Sequence, residues 1–508
     1  MQENIVDPYS EQRARLRRRG ICVIIPTYNN VGTIGDVVMR AKVQCDDIIV
    51  VNDGSNDGTD AVLSSVDGVT VVDILRNSGK GNALKQGFLK AYALGFSYAI
   101  TLDGDGQHYP EDIRLLLEAN IKNPNALIVG QRKGLAQVER SAGSKFANAF
   151  SNFWFYVQTL NPLRDTQTGY RMYPLHKLHG LRFLTSRYEA ELELLVFAAW
   201  HGVRLVAIEV NVYYPPREQR VSHFRPLQDF TRISILNTIL CLLAVVYGYP
   251  LMCFRAFATA LRTIYTLLFF LFFTLMVMTP MAYLVLLFGK TGERTVCRLH
   301  SILHFMSNFV MNVHGIPGVR YKMNNRSGED FHVPAVIICN HQSPLDLMPL
   351  LALHKRIVVV TNDRIWRNPF YGYIIRHAGF LPASDGSEQM LAKLRPLVAQ
   401  GYSVAIYPEG TRCPEGEIGR FHKGAFYVAR NLKLDIVPLI LHGAGRVMSK
   451  GDICMRKGEI RLDVDARMSV EEQAQFSTDR ALASWYRKYY KQRYLEISDE
   501  SVDLCRGL

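Results

Sequence analysis

Residues 98–108 read YAITLDGDGQH, a short apolar run that ends in two carboxylates separated by one glycine. Such runs, rich in β-branched and aromatic residues and followed by Gly and Asp, are typical of strands that end at a loop. In open α/β sheets ligands bind beside the carboxyl ends of the strands. Taken alone, an Asp-Gly-Asp-Gly string is more often a turn or a calcium loop, so its role depends on the sequence around it.

The same kind of strand recurs on both sides of this stretch. Further strands are predicted at 21–26, 48–51, 69–75, 333–340, 356–362, 402–408 and 435–441. Helical patterns lie between them, and strands that alternate with helices predict βαβ units and mostly parallel sheets. We therefore predict an α/β fold with domains at 1–232 and 291–508, joined by a membrane segment at 233–290.

Composition narrows the function classes. The chain has 508 residues, too many for one hydrophobic core. A net charge of +13 favours an anionic partner, either nucleic acid or a membrane surface. Nucleic acid is disfavoured because the basic residues do not form a stripe interleaved with aromatic residues. Nine cysteines without a CxxC pair predict neither a zinc site nor a disulfide framework, and a reducing compartment fits them best.

The membrane segment is predicted from two apolar runs. Residues 263–288 contain no charged side chain and exceed the roughly 20 residues that a helix needs to span a bilayer. Residues 233–250 are less apolar and end at Gly248 and Pro250, which is compatible with a second membrane helix or with a re-entrant or interfacial one. The polar start of the chain predicts no secretory signal.

The loops after the first strands carry a set of polar residues. Pro26 to Asn30 follow the first strand and Asn52 to Thr59 the second. An Asp in the position of Asp53 can accept hydrogen bonds from a base or a ribose. Asp103 and Asp105 suit a divalent cation that bridges them to a substrate diphosphate.

The motifs PTYNN, NDGSNDGT, LDGDGQH, GQR at 130–132 and DTQTGYR at 165–171 together resemble the family 2 glycosyltransferases of the GT-A fold. Within that family they look most like the dolichyl-phosphate mannosyltransferase group, over residues 21 to about 225. The resemblance implies a Rossmann-like GT-A domain that uses a nucleotide sugar. It also implies Mg²⁺ or Mn²⁺ at Asp103 and Asp105, with Gln107 close by.

The resemblance assigns further roles. Asp53 would contact the nucleotide, and Arg132 and Arg171 would face phosphates, whose oxygens suit a guanidinium fork. Asp165 would be the catalytic base, since an acceptor hydroxyl is a poor nucleophile until it loses its proton. If the acceptor is already a phosphate, Asp165 would instead bind metal or position a neighbour; a third interpretation is a cap before Thr168.

The basic loop that usually follows in this family is different in this chain. Residues 215–226 read PPREQRVSHFRP and lack the glycine of that loop. Arg217 and Arg220 are the residues that would close on the donor there.

The second half holds a histidine and an aspartate beside a predicted helix start. Ser343 is a predicted N-cap and Pro344 the first helical residue, so Asp346 falls in the first turn and can reach the ring of His341. A neutral imidazole can take a proton from an alcohol while a carboxylate fixes its tautomer. A lone histidine near a strand end is more often structural, so the neighbouring motifs decide.

Those motifs are NHQSPLD at 340–346, YPEGTR at 407–412, FHKGA at 421–425 and IVPL at 436–439. In this order they resemble the lysophospholipid or glycerol-3-phosphate acyltransferase family, over residues 297 to about 465. The resemblance implies acyl transfer from acyl-CoA or acyl carrier protein. His341 would be the base and Asp346 its orienting partner. The acceptor would be bound by Glu409, Gly410, Thr411 and Arg412.

One block departs from the family. At 376–384, where many members carry an Arg for acceptor phosphate, this chain has Ser384 followed by Asp385. The acceptor need not carry the usual glycerol phosphate.

Topology links the two predicted sites. Sugar nucleotides and acyl thioesters are both made in the cytoplasm, so both domains are expected on the cytoplasmic side of the cell (inner) membrane. That requires an even number of crossings, by two helices or by a hairpin near Pro280. Arg255 and Arg262 lie between the apolar runs, where the positive-inside tendency would keep them cytoplasmic. Residues 294–315 look amphipathic, and either lie along the membrane interface or pack on the second domain.

We therefore expect a bifunctional membrane-associated transferase of glycolipid or lipid biosynthesis, with a membrane lipid, a nucleotide sugar and an acyl thioester as partners. Two alternatives remain. One is a polyprenyl-phosphate sugar synthase with an accessory acyltransferase domain. In the other, one domain has lost its chemistry and serves for binding or anchoring.

Overall fold

The computed structural model describes residues 7–133, 142–178, 180, 185–213, 226–289, 292–368 and 372–503. The backbone divides into two compact units. The first consists of the chain up to Ala256 together with the chain from Ser498 onward, and the second runs from Phe257 to Ile497. Each unit contains a seven-stranded sheet, which confirms the prediction of two α/β domains.

The first unit is built on a mixed sheet. Its strands are β1 Ile21–Thr27, β2 Ile48–Asn52, β3 Thr70–Asp73, β4 Tyr98–Thr101, β5 Leu127–Arg132, β6 Arg171–Pro174 and β7 Leu205–Val210. They lie in the order β3-β2-β1-β4-β6-β5-β7, with only β6 antiparallel to its neighbours. Because β1, β2 and β4 are parallel, the loops that follow them meet at one edge of the sheet.

Helices cover this sheet. They are α1 Ser10–Arg18, α2 Ile34–Gln44, α3 Thr59–Ser64, α4 Lys80–Ala93, α5 Ile113–Lys122, α6 Ala142–Thr159, α7 Leu175–Leu178 and α8 Glu189–Trp200. Strands β1 and β2 are buried along their whole length, as expected for parallel strands covered on both faces. Helix α4 lies close to β1 because Gly87 faces Ile24.

The segment between the two sheets is helical from Pro226 to Phe288. It consists of α9 Pro226–Leu243, α10 Tyr249–Phe272 and α11 Thr279–Phe288, joined by wide π-helical turns at Ala244–Gly248 and Phe273–Met278. By length and composition, the stretch Phe230–Phe288 could cross a membrane. Its apolar side chains are largely exposed, for example Phe257 at 66% and Leu287 at 76%.

This helix corrects the expectation of two helices or a hairpin at 233–290. The described backbone does not reverse its direction there, because the three helices follow one another through the two π-helical turns. Each π-helical turn lies just before a proline, Pro250 or Pro280. A proline lacks the N–H that a helix needs and collides with the carbonyl four residues before it; a π bulge at that place accommodates both. The segment is not a separate domain either: Leu240 is buried in the first core and Ala282 in the second.

The second unit has a mostly parallel sheet. Its strands are β8 Val319–Asn325, β9 Ala335–Cys339, β10 Ile357–Thr361, β11 Leu381–Pro382, β12 Ser403–Ile406, β13 Asp435–His442 and β14 Gly458–Val464. Their order is β11-β10-β12-β9-β13-β14-β8, and only the β13–β14 pair is antiparallel. The loops after β9 and β12, two adjacent parallel strands, therefore lie side by side.

The helices that follow the central segment are α12 Glu293–Asn308, α13 Leu347–Leu351, α14 Asp363–Trp366, α15 Gly372–His377, α16 Ser387–Ala399, α17 Gly424–Leu432, α18 Ala444–Val447, α19 Val470–Ala474 and α20 Asp479–Asp503. They belong to the second unit, except for the end of α20 from Ser498 onward, which belongs to the first. Of the two interpretations for residues 294–315, the structure supports packing. Leu299 and Leu303 of α12 are buried in the core of this unit.

Gly87 gives a test of the packing between α4 and β1. In an ordinary helix Gly→Ala stabilises by roughly 1 kcal/mol. Here a Cβ would lie 2.5 Å from Cγ2 of buried Ile24. We expect Gly87→Ala to lower the free energy of unfolding of the full-length chain by about 1–3 kcal/mol in denaturant titrations.

Gly32→Ala is the matched control for Gly87→Ala. No described atom lies within 4 Å of the added Cβ, so a change within about 0.5 kcal/mol is expected. A stabilised Gly87→Ala variant would contradict the packing.

Candidate active sites

The loops after β1, β2 and β4 form the first candidate site. The backbone N–H of Asn29 donates to the hydroxyl of Ser55 at 3.0 Å, which joins the loops after β1 and β2. The hydroxyl of Thr33 donates to the carbonyl of Gly104 at 2.7 Å, which joins the loop after β1 to the one after β4. The structure thus brings together the three motifs that the sequence placed at strand ends.

Asp53 fastens another loop to this edge. Its two carboxylate oxygens accept the backbone N–H groups of Ser78 and Gly79, each at 2.8 Å. Burial raises the pKa of this carboxyl, although both hydrogen bonds oppose the shift. Asp53 therefore shapes the turn that leads into α4. This role was not predicted from the sequence, and the contact of Asp53 with the nucleotide stays a prediction.

A partly buried lysine lies at the centre of the site. Lys80 Nζ is 2.7 Å from Asp103 Oδ1 and 3.0 Å from Glu191 Oε2. The approach of α4 to α8 depends on Gly81, where a Cβ would lie 2.4 Å from that of Ala190. Neither Lys80 nor Glu191 was predicted from the sequence; the string Gly79-Lys80-Gly81 between a strand and a helix was the available signal for the lysine.

Burial and neighbouring charges both shift the pKa values of the titratable groups in this cluster. Burial disfavours the ionised form of Asp103, but the charge and hydrogen bond of Lys80, together with the charge of Arg171, outweigh it and lower the pKa of that carboxyl. Burial and the neighbouring charge of Asp103 raise the pKa of Asp105 to about 6. Burial also lowers the pKa of His108 to about 4, which keeps this imidazole neutral.

The residues fit a hard divalent cation only in part. Asp103 and Asp105 supply two carboxylates, and the backbone N–H of Gln107 donates to Asp105 Oδ1 at 3.0 Å. Among the described residues, no group of three His, Cys, Asp or Glu side chains converges as a metal site. Mg²⁺ is commonly held by one or two carboxylates and completed by waters and substrate phosphates, so the donor set suits a cation that arrives with a diphosphate.

Gly169 lies directly beside Asp103 and Lys80. A Cβ at this position would lie 2.6 Å from Asp103 Oδ2 and 2.8 Å from Lys80 Nζ. Any larger residue would push the carboxylate and the ammonium aside. The glycine of the DTQTGYR motif thus has a steric role.

Arg132 and Asp165 are bound to each other. Arg132 donates from Nε and Nη2 to the two oxygens of Asp165, at 2.7 and 2.8 Å, and Asp165 is fully buried. We expected a phosphate-facing arginine and a base that is free to take a proton. In the structure the carboxylate orients the guanidinium instead.

Arg171 does not have the phosphate-facing position that we expected. It is fully buried, and its guanidinium donates to the carbonyls of Glu191 at 2.7 Å and Thr166 at 2.8 Å. Because these carbonyls lie on two different segments of the chain, the side chain of Arg171 links the two segments. Arg217 and Arg220 lie outside the described residues.

The second candidate site is built around His341, as predicted. Nδ1 of His341 lies 2.8 Å from Asp346 Oδ2, which also accepts the backbone N–H groups of Gln342 and Ser343. Ser343 caps the short helical turn at Pro344–Asp346. Burial raises the pKa of Asp346, and its bonds to His341 and the backbone oppose that shift. With Nδ1–H donated to the carboxylate, Nε2 is the nitrogen that can accept a proton.

Both carboxylate oxygens of Glu409, a residue that we expected to bind the acceptor, are hydrogen-bonded to the backbone. Its two oxygens accept the backbone N–H groups of His341 and Gly419, each at 2.8 Å. The carbonyl of His341 in turn accepts from the backbone N–H of Cys413 at 2.8 Å. The loop after β12 is therefore tied to His341 through both backbone groups of that residue.

The remaining residues of this loop shape its surface. Gly410 has a left-handed φ of +66°, which an L side chain rarely adopts. Lys450 Nζ donates to the hydroxyl of Thr411 at 3.3 Å and to the carbonyl of Arg412 at 2.9 Å. The side chain of Arg412 is half-exposed.

Polar pairs occupy the end of the block at 376–384. Asp385 is paired with Lys393 at 2.6 Å, and Ser384 donates to Asp363. Tyr407, which the sequence analysis did not single out, stacks on His341 with ring centroids 4.3 Å apart.

Glu409→Gln separates a fastening role from acceptor binding. An amide can accept one of the two backbone N–H groups but presents its own NH₂ to the other. We expect the loss of stability that follows from one unsatisfied buried donor, about 1–3 kcal/mol, together with faster hydrogen exchange at the amides of His341 and Gly419.

The exposed Glu388→Gln serves as control for Glu409→Gln and should change stability by less than about 0.5 kcal/mol. If Glu409→Gln behaved like it, the fastening role would be wrong.

Two family models match the chain. The model for glycosyl transferase family 2 matches residues 22–174, and the acyltransferase model matches residues 302–442. A polyprenol monophosphomannose synthase of Mycolicibacterium smegmatis is 32% identical over 216 residues, which cover 39% of this chain and 79% of that protein.

Relatives of the second half have a similar level of identity. A chloroplastic 1-acyl-sn-glycerol-3-phosphate acyltransferase of Arabidopsis thaliana is 35% identical over 150 residues, 28% of this chain. The chain spans 42% of the length of that relative. The crystal structure of a 1-acyl-sn-glycerophosphate acyltransferase from Thermotoga maritima is 16% identical with a TM-score of 0.39, covering 48% of this chain and 97% of the other.

The family model and the mannose synthase relative agree with the motifs collected at the edge of the first sheet, and the acyltransferase model spans both loops that hold His341 and Glu409. The chain therefore belongs to glycosyl transferase family 2 through its N-terminal domain, and its second half matches the acyltransferase model.

Proposed function

We propose that the protein is a bifunctional, membrane-associated transferase that transfers a sugar from a nucleotide sugar and an acyl group from a thioester to lipid-type acceptors. The observation that carries this proposal is that the described residues of each unit hold a set of candidate catalytic side chains in place. Lys80, Asp103 and Asp105 lie together in the first unit, and His341 is paired with Asp346 in the second.

In the first unit, Asp103 and Asp105 would hold Mg²⁺ or Mn²⁺, which supplies neutralisation of the charge that develops on the leaving nucleotide diphosphate. Lys80 keeps Asp103 ionised and in place. Arg132, oriented by Asp165, offers a guanidinium beside the diphosphate. Asp53 fixes the turn at Ser78 and Gly79 against which the nucleotide would lie.

The state of Asp165 bears on the acceptor. A carboxylate that already accepts two bonds from Arg132 is poorly suited to take a proton from a hydroxyl. A phosphate acceptor needs no base. This favours a second candidate function, synthesis of a polyprenyl-phosphate sugar, and the relative from Mycolicibacterium smegmatis bears the name of such a synthase.

In the second unit, His341 Nε2 takes the proton of the acceptor hydroxyl while the oxygen of that hydroxyl attacks the thioester carbonyl. Asp346 holds the Nδ1–H tautomer and stabilises the imidazolium that forms. The thiolate of the donor, acyl-CoA or acyl carrier protein, leaves and receives the proton from His341. Direct attack needs no acyl-enzyme intermediate. The half-exposed Arg412 is the candidate for an anionic group of the acceptor.

The central helix is the proposed membrane element. Its exposed apolar side chains exceed what a soluble surface commonly presents. Arg255 and Arg262 lie near its middle, and charges at the centre of a bilayer are costly. A helix that lies in the membrane surface avoids this cost and lets both units face the cytoplasm, where their donors are made.

Single variants test the bifunctional proposal. Asp103→Asn should abolish sugar transfer and leave acyl transfer within about 2-fold, and His341→Ala should do the reverse with a loss of about 1,000-fold or more. Both transfers are measured on membranes containing the full-length chain, with radiolabelled nucleotide sugar and acyl thioester. Undiminished product in either variant would identify an idle domain.

Metal removal separates the two chemistries. Chelation by EDTA should remove sugar transfer, because the diphosphate leaving group loses its counter-charge, while acyl transfer by His341 continues. Mn²⁺ or Mg²⁺ added back should restore the sugar transfer. Sugar transfer that survives exhaustive chelation would overturn the assignment of Asp103 and Asp105 as metal ligands.

The acceptor is tested separately. If the labelled sugar enters an alkali-stable polyprenyl lipid, the second candidate function is correct. If sugar and acyl group are found by mass spectrometry in one lipid that disappears on deletion of the protein, the two domains act on one product.

A further inference from the structure

We propose that Tyr407 is a positioning residue for acyl transfer: its aromatic ring, and not its hydroxyl, holds the plane of the His341 imidazole and supports the imidazolium. This inference rests on the proposed acyltransferase function. Tyr407 directly follows β12, and its ring lies 4.3 Å from that of His341 at an angle of 25°. The two rings are therefore close to parallel.

The stack completes the restraint of His341. Asp346 holds one edge of the imidazole through Nδ1, and the backbone of His341 is held by Glu409 and Cys413. A hydrogen bond at one ring nitrogen leaves rotation about that bond open. The face contact with Tyr407 removes this freedom, so that Nε2 points in one direction when the acceptor hydroxyl arrives.

The same contact favours the protonated ring. A cation over the face of a tyrosine is attracted by the negative centre of the π system, and the attraction is stronger where water is excluded. His341 becomes a cation during attack on the thioester, when it has taken the proton of the acceptor. The ring of Tyr407 is therefore attracted more strongly to the imidazolium of His341 that forms during the reaction than to the neutral imidazole of the resting state.

The hydroxyl of Tyr407 has no comparable role. Its oxygen is buried and makes no hydrogen bond within the part of the chain that the structure describes. Burial, with the nearby charge of Asp346, raises the pKa of Tyr407 well above its usual value, so the phenol stays neutral. A phenylalanine would preserve the stack and lose nothing that the described residues bind.

Tyr402 provides a matched control. It precedes β12 as Tyr407 follows it, is buried, and also has a buried hydroxyl without a hydrogen-bond partner among the described residues. Its ring contacts His300, at 4.9 Å between centroids, instead of His341. Substitutions at Tyr402 therefore remove the same kind of side chain from the same region without touching the catalytic imidazole.

The test compares Tyr407→Leu, Tyr407→Phe and Tyr402→Leu in the full-length chain. We expect Tyr407→Leu to lower kcat for acyl transfer by about 10- to 100-fold with KM changed less than about 3-fold, since a small misplacement of a catalytic group has effects of this size. Tyr407→Phe should stay within about 3-fold of the native rate. Tyr402→Leu, even if it lowers the melting temperature as much, should leave kcat of the folded protein within about 3-fold.

A spectroscopic measurement is independent of activity. With ¹³C-labelled histidine, the His341 signal, assigned by its loss in His341→Ala, should lie upfield through the ring current of Tyr407. It should keep that position in Tyr407→Phe and move downfield in Tyr407→Leu. Sugar transfer by the same preparation shows that the first unit is intact.

Two results would overturn the inference: equal kcat in Tyr407→Leu and the native chain, or equal losses in Tyr407→Leu and Tyr407→Phe, which would assign the role to the hydroxyl. If the native chain transfers no acyl group while the ring-current shift is present, the proposed function fails and the stacking stands. If the shift is absent, the stacking itself fails.

Discussion

A carboxylate withdrawn from water must be hydrogen-bonded on its oxygens, and both sites of this protein are organised by that requirement. Asp53 satisfies it with two backbone N–H groups at the start of α4, and Glu409 with the N–H groups of His341 and Gly419. Asp165 meets it with the fork of Arg132. In each case the acidic residue of a motif holds a loop or a guanidinium in place.

The sequence predicted the scaffold well because the scaffold depends on local patterns. All eight strands predicted from apolar runs are present, within one to three residues at their ends. The pair His341 and Asp346 was predictable for the same reason: five residues separate them, and a helical turn that begins at Ser343 brings the two side chains together.

The partners of the other acidic residues were not predictable, because they come from distant parts of the chain. Arg132 and Asp165 are 33 residues apart, and His341 and Glu409 are 68. Motif membership indicated that these residues belong to a site, but their burial and pairing depend on how the sheet is assembled. The burial of Arg171 and the place of Lys80 between two carboxylates have the same origin. The central helix differed for another reason: prolines predict a break, and a π-helical turn before each proline accommodates it without one.

The double attachment of His341 to the loop after β12 links two motifs that are far apart in sequence. Glu409 accepts its N–H, and its carbonyl accepts from Cys413, so neither loop can shift without the other. Replacement of one loop alone would therefore also disturb the backbone hydrogen bonds that hold His341. The two loops behave as one structural unit, and the backbone of His341 keeps both attachments only when they are exchanged as a pair.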